Sequence, residues 1–112
     1  MTDSSWHTAC ALNALEDKQA AEFTLDDTPG FVIAHKGELR AYVNRCPHLG
    51  IELNWMPGRF LDAEQCFIQC ATHGALFSLD KGLCIAGPCQ GEALQQLDTR
   101  IDQDQILVRF PE

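Results

Sequence analysis

Two cysteine–histidine pairs constrain this chain more than any other feature. The stretch "NRCPHLG" (44–50) carries Cys46 and His48 with one residue between them. The stretch "QCATHGALF" (69–77) carries Cys70 and His73 with two residues between them. A glycine closes each pair, Gly50 and Gly74, where a tight turn or a close backbone approach needs a residue without a Cβ. Proline between Cys46 and His48 stiffens the first loop. Two loops that each offer one soft sulfur and one borderline nitrogen form a two-plus-two ligand set.

Three readings fit that pattern. The four residues are unliganded members of a core, a structural zinc site of two cysteines and two histidines, or ligands of a 2Fe–2S cluster with two cysteines on one iron and two histidines on the other. Zinc sites of this composition usually pair cysteine with cysteine and histidine with histidine. The mixed pairs have a geometric reason in the third case, because each loop then straddles both irons.

The rest of the chain narrows the setting. It has 112 residues, which fits a single domain over 1–112, and 46% are hydrophobic, enough for a thin core. Sixteen acids against eight bases give a net charge of −8. The acids are spread along the chain, which predicts an acidic, soluble surface and offers steering toward a basic partner. With no basic patch to neutralise phosphates, nucleic acid is not expected as a partner. No run approaches the roughly 20 apolar residues of a membrane span. The start, "MTDSSWHTAC", lacks a basic region followed by an apolar run, so the cytoplasm is the expected location. Six cysteines in such a compartment point to metal rather than to a disulfide scaffold.

Short apolar and β-branched runs separated by turn residues predict an all-β fold. Strands are expected at "WHTACAL", up to Leu25, at Phe31–His35 and Leu39–Val43 around a Lys36-Gly37 turn, at "CFIQC", on both sides of Asp80–Gly82, and on both sides of Asp102–Asp104. "DDTPG" is expected as a turn, and "IAGPCQG" as a loop. The loop-rich section from about 44 to 91 holds five of the six cysteines, so the flanking strands form a scaffold around it.

"CPHLG", "CATHGALF" and "GLCIAGPCQGEAL", in that order, resemble the Rieske 2Fe–2S domain, and the resemblance spans nearly the whole chain. It implies small antiparallel sheets, three in number, with a cluster-binding subdomain at one tip. Cys46 and Cys70 would hold the inner iron, His48 and His73 the outer one, and "AGPC" (86–89) would cover the cluster's side. The cofactor so implied is a Rieske-type 2Fe–2S cluster. Neutral imidazoles leave such a cluster less negative than an all-cysteine one, which raises its potential into a window of about −150 to +300 mV.

High-potential members of the cytochrome bc type place a serine and a tyrosine at the positions held here by Ala75 and Phe77, and a disulfide at the positions of Ile51 and Thr72. Neither Ala75 nor Phe77 has a side-chain donor, and Ile51 and Thr72 cannot form that bridge. The resemblance is therefore to soluble Rieske-type ferredoxins, with a potential near the low end of the window, about −150 mV. The 21 residues between His48 and Cys70 exceed the usual ferredoxin spacing. The extra length is expected as an exposed loop in "LNWMPGRFLDAEQ", where Trp55 and Met56 either meet a partner or pack under the loop. Cys10 and Cys66 are expected in the core. Cys84 and Cys89 flank the proline loop, where they either approach each other or, as expected in a reducing compartment, are two buried thiols.

No G-x-S-x-G, P-loop or Rossmann fingerprint is present, and His7 and His35 have no paired spacing for a second iron. The expected role is a one-electron carrier between a ferredoxin reductase and a terminal oxygenase or reductase. The alternative is a cluster-bearing small subunit of a larger reductase complex, similar to the small subunit of NADH-dependent nitrite reductase.

Overall fold

The computed structural model describes residues 6–15, 20–35, 38–47, 52–54, 60–62, 67–71, 74–87 and 90–111. Nine strands and one short 3-10 turn, Leu12–Ala14, make up their regular structure. The strands are β1 His7–Ala11, β2 Ala20–Leu25, β3 Thr28–His35, β4 Glu38–Val43, β5 Phe67–Gln69, β6 Leu76–Ser78, β7 Cys84–Ala86, β8 Gln96–Asp102 and β9 Gln105–Arg109. All pairings are antiparallel. The all-β expectation therefore holds.

Six strands form one sheet in the order β1-β9-β8-β4-β3-β2, and β5-β6-β7 form a second. Three separate sheets were implied by resemblance. Here two of them are joined, because β4 and β8 pair at Ala41↔Leu97 and Tyr42↔Gln96.

Two hairpins turn on two residues each. Asp26 and Asp27 have φ of 49° and 67°, Gln103 and Asp104 of 51° and 64°. Positive φ at both central residues gives a turn whose twist matches the flanking strands, and aspartate tolerates that region better than most residues. The "DDTPG" turn is thus shorter than expected. Thr28, Pro29 and Gly30 already belong to β3, with Pro29 near the strand's start, where its missing N–H is tolerated. The Lys36-Gly37 turn lies outside the described residues.

β3 and β4 are buried on both faces, which explains their unbroken apolar runs. Side chains alternate along a strand. Val32, Ala41 and Val43 face one core with Leu25, Ile106 and Val108. Phe31, Ile33 and Tyr42 face the other, with Ile68, Phe77 and Cys84 from the three-stranded sheet. The second core is tightened by Phe31 stacked on Phe60, ring centroids 4.1 Å apart, worth about 1 kcal/mol beyond burial.

β4 also fixes the smaller sheet in place. The Tyr42 hydroxyl donates to the Leu79 carbonyl at 2.8 Å, and Arg40 Nε donates to the Asp80 carbonyl at 3.1 Å. Both acceptors lie in the turn between β6 and β7. The scaffold thereby holds the hairpin from which the functional loops project.

Candidate metal centre

Cys46 follows β4 by three residues. Arg45 N–H donates back to the Val43 carbonyl at 2.9 Å, and Asn44 N–H donates to the Pro29 carbonyl at 2.8 Å, so the chain bends while still tied to β3. The bend delivers Cys46 to the interior at 0% exposure.

Cys70 directly follows β5 and is also 0% exposed. Its N–H donates to the Ala75 carbonyl at 2.9 Å, and its carbonyl accepts from Gly74 N–H at 2.8 Å. These two bonds close the base of a short loop between β5 and β6. Gly74 has φ +71°, the left-handed conformation that the sequence anticipated there. Gly50 lies outside the described residues.

Cys46 and Cys70 belong to one buried cluster, together with Leu53, Phe60, Ala75 and Phe77. The structure brings the two predicted sulfur ligands to the same side of the scaffold. His48 and His73, the predicted nitrogen ligands, lie outside the described residues, as do Ile51, Trp55, Met56, Cys66, Thr72 and Cys89.

Ala75 and Phe77 are both 0% exposed, so the positions expected to lack side-chain donors sit inside the core beside Cys70. Gly87, with φ +104°, packs directly on Ala75. The described start of the proline loop thus lies against the second cysteine loop. Cys84 is buried at the head of β7, and its thiol donates to the Ala86 carbonyl at 3.3 Å. Cys10 is only half-buried, at the margin of the other core, and desolvation there raises its thiol pKa. Cys84 fits the expectation of a buried thiol, whereas Cys10, expected in the core, packs only against its edge.

The expected exposed loop needs correction at its ends. Leu53 and Phe60 are 0% exposed. Leu53 C=O accepts from Ala71 N–H at 2.8 Å, Phe60 C=O accepts from Gln69 N–H at 2.8 Å, and Asp62 N–H donates to the Phe67 carbonyl at 2.9 Å. Segments 52–54 and 60–62 therefore form part of the wall around the cysteines. Sequence reasoning missed them, and it missed Asn44, because a polar residue at a strand end gives no hint of burial.

The donor chemistry fits an iron–sulfur centre. Two thiols withdrawn from water at the bases of two loops, each followed in sequence by a histidine, form a mixed sulfur–nitrogen set. The apolar wall of Leu53, Phe60 and Phe77 keeps solvent from the sulfur side.

An all-β scaffold that buries Cys46 and Cys70 in one cluster, each followed in sequence by a histidine, defines a Rieske-type protein. The Rieske [2Fe-2S] domain model matches residues 5–106, and the chain belongs to that family, whose cofactor is the Rieske-type 2Fe–2S cluster. Cholesterol 7-desaturase of Caenorhabditis elegans is 30% identical over 86 residues, which is 76% of this chain. The chain spans only about a fifth of that relative's length, 19%. The terminal oxygenase of carbazole 1,9a-dioxygenase from Nocardioides aromaticivorans IC177 shares the fold with a TM-score of 0.82 at 21% identity, over 98% of this chain and 31% of the oxygenase. The ferredoxin of the same system gives a TM-score of 0.78 at 24% identity, over 96% of this chain and 100% of the ferredoxin.

Proposed function

We propose that this chain is a one-electron carrier in which Cys46, His48, Cys70 and His73 hold a Rieske-type 2Fe–2S cluster within a single domain, 1–112. It takes electrons from a ferredoxin reductase and passes them to an oxygenase-type acceptor, in the cytoplasm. The observation that supports this most is the burial of Cys46 and Cys70 in one apolar cluster, at the bases of the two loops whose histidines follow. Likeness to a carbazole dioxygenase ferredoxin over that protein's full length supports the carrier role.

When bound, the cluster supplies reversible one-electron chemistry at a potential raised by histidine ligation. The chain's own residues set the conditions for it. Cys46 and Cys70 fix the sulfur side inside the core, and Leu53, Phe60 and Phe77 exclude water from it. Ala75 and Phe77 offer no hydrogen-bond donor from their side chains, so the potential lies near the low end of the family's window, about −150 mV. Among the described residues no helix is long and apolar enough to cross a membrane. Exposed carboxylates at Asp26, Asp27, Glu52 and Glu92 are available to a basic partner.

The test is redox titration combined with sedimentation of the natively expressed protein. A carrier cycles reversibly at negative potential and sediments as a small species. A midpoint above zero would remove the argument from Ala75 and Phe77. Sedimentation with a large complex would replace the carrier by a fixed subunit.

A further inference from the structure

We propose that Asn44 is a positioning residue that braces the loop of Cys46 against the loop of Cys70. The proposal rests on the ligand assignment above and deepens it. Apart from the Tyr42 hydroxyl and the cysteine thiols, Asn44 is the one buried polar side chain among the described residues, only 2% exposed. Its Oδ1 accepts the N–H of Leu53 at 2.8 Å. A main-chain N–H can only donate, so the amide's orientation is determined. Its Nδ2 donates to Asn54 Oδ1 at 2.8 Å and to Glu52 Oε1 at 3.3 Å. Both kinds of polar atom in the amide are therefore engaged.

Leu53 carries the link onward. Its carbonyl accepts from Ala71 N–H at 2.8 Å. One fully buried residue is thus held through both main-chain polar groups. One group is tied to the residue two before Cys46, the other to the residue directly after Cys70. Asn44 N–H, bonded to the Pro29 carbonyl, anchors the assembly to β3.

Two thiolates can serve one metal centre only at a fixed separation. The Asn44–Leu53–Ala71 chain holds that separation through hydrogen bonds shielded from water, where each is costly to leave unmade. Asn44→Ala leaves the Leu53 N–H unpaired in the core and frees segment 52–54 from the first loop. Asn44→Asp keeps an oxygen to accept from Leu53, while it loses the donors to Asn54 and Glu52 and sets a second carboxylate against Glu52. Val108→Ala, in the opposite core, controls for general destabilisation.

The experiment follows chelator-induced bleaching of the holoprotein, the electron paramagnetic resonance line shape after reduction, and peptide-resolved amide exchange over 52–54 and 70–71. Asn44→Ala should bleach roughly tenfold faster than Val108→Ala. It should also broaden the resonance and speed exchange at Leu53 and Ala71, with Asn44→Asp closer to the wild type in all three. Bleaching at the control's rate, or unaltered exchange at Leu53 and Ala71, overturns the brace. If Asn44→Ala does not fold, the wild type decides: slow exchange at both Leu53 and Ala71 supports the brace, and fast exchange at either overturns it. Wild-type protein that purifies without iron and sulfide would remove the cluster assignment instead. Exchange at Leu53 and Ala71 would then decide the brace alone.

Discussion

Gly87 lies so close to Ala75 that a methyl group on Gly87 would come within 2.8 Å of the Ala75 Cα. The obstacle is backbone, which cannot rotate away. Gly87 also has φ +104°, a conformation closed to side-chain-bearing residues. Gly87→Ala should therefore push the start of the proline loop off the second cysteine loop. The expected cost is about 1–3 kcal/mol of stability, with faster bleaching of the cluster by chelator. Thermal unfolding and bleaching rates check this. An alanine variant with wild-type values in both would show that the contact is unimportant.

Ala75 offers a test of potential tuning. Its side chain is buried beside Cys70 and carries no donor. Ala75→Ser adds a hydroxyl that can donate toward the metal centre and stabilise its more negative, reduced form. The midpoint should rise by tens of millivolts, since about 59 mV corresponds to a tenfold change for one electron. Protein-film voltammetry of both proteins measures it. An unchanged or lowered midpoint would count against the assigned position of residue 75.

Tyr42 predicts alkaline instability. Burial is the main cause that pushes its pKa well above the ordinary value; Asp80 adds to the shift and Arg40 opposes it. The folded state therefore holds the phenol proton more tightly than the unfolded state does. Stability from this group is complete below about pH 10, where the unfolded tyrosine begins to ionise, and falls as pH rises further. Tyr42 is the single tyrosine of the chain, so tyrosinate absorbance reports it alone. That signal should appear together with unfolding. Tyr42→Phe should remove it and cost about 1 kcal/mol through the lost bond to Leu79. Ionisation near pH 10 with the fold intact would contradict the burial argument.

The net charge of −8 predicts salt-sensitive partner encounter. Electron delivery to or from a basic partner should slow as ionic strength rises past the point where the screening length falls to about 8 Å. Stopped-flow rates between low and high salt measure this. A rate independent of salt would remove electrostatic steering and leave the metal centre untouched.

The described part of the candidate site was legible because its signals are local. The placement of Cys46 and Cys70, the glycine at position 74 and the absent donors at Ala75 and Phe77 are all visible within a few residues. The hairpin of β8 and β9 was legible for the same reason. What escaped depends on distant partners. Asn44 resembles an ordinary polar strand end until Leu53, across the intervening loop, donates to it. Leu53 and Phe60 seemed to belong to an exposed insertion, yet they complete the wall that short strands β5 and β6 cannot build alone. The join between β4 and β8 rests on two residue pairs, too few to mark the sequence.

The most direct test of the central claim is iron and acid-labile sulfide analysis of the purified protein, followed by pulsed electron paramagnetic resonance of its reduced form. The predicted result is iron and sulfide in equal amounts, with two strongly coupled nitrogens, one of which is lost when either His48 or His73 is replaced. A colourless protein holding zinc, or a cluster spectrum without coupled nitrogen, would contradict it.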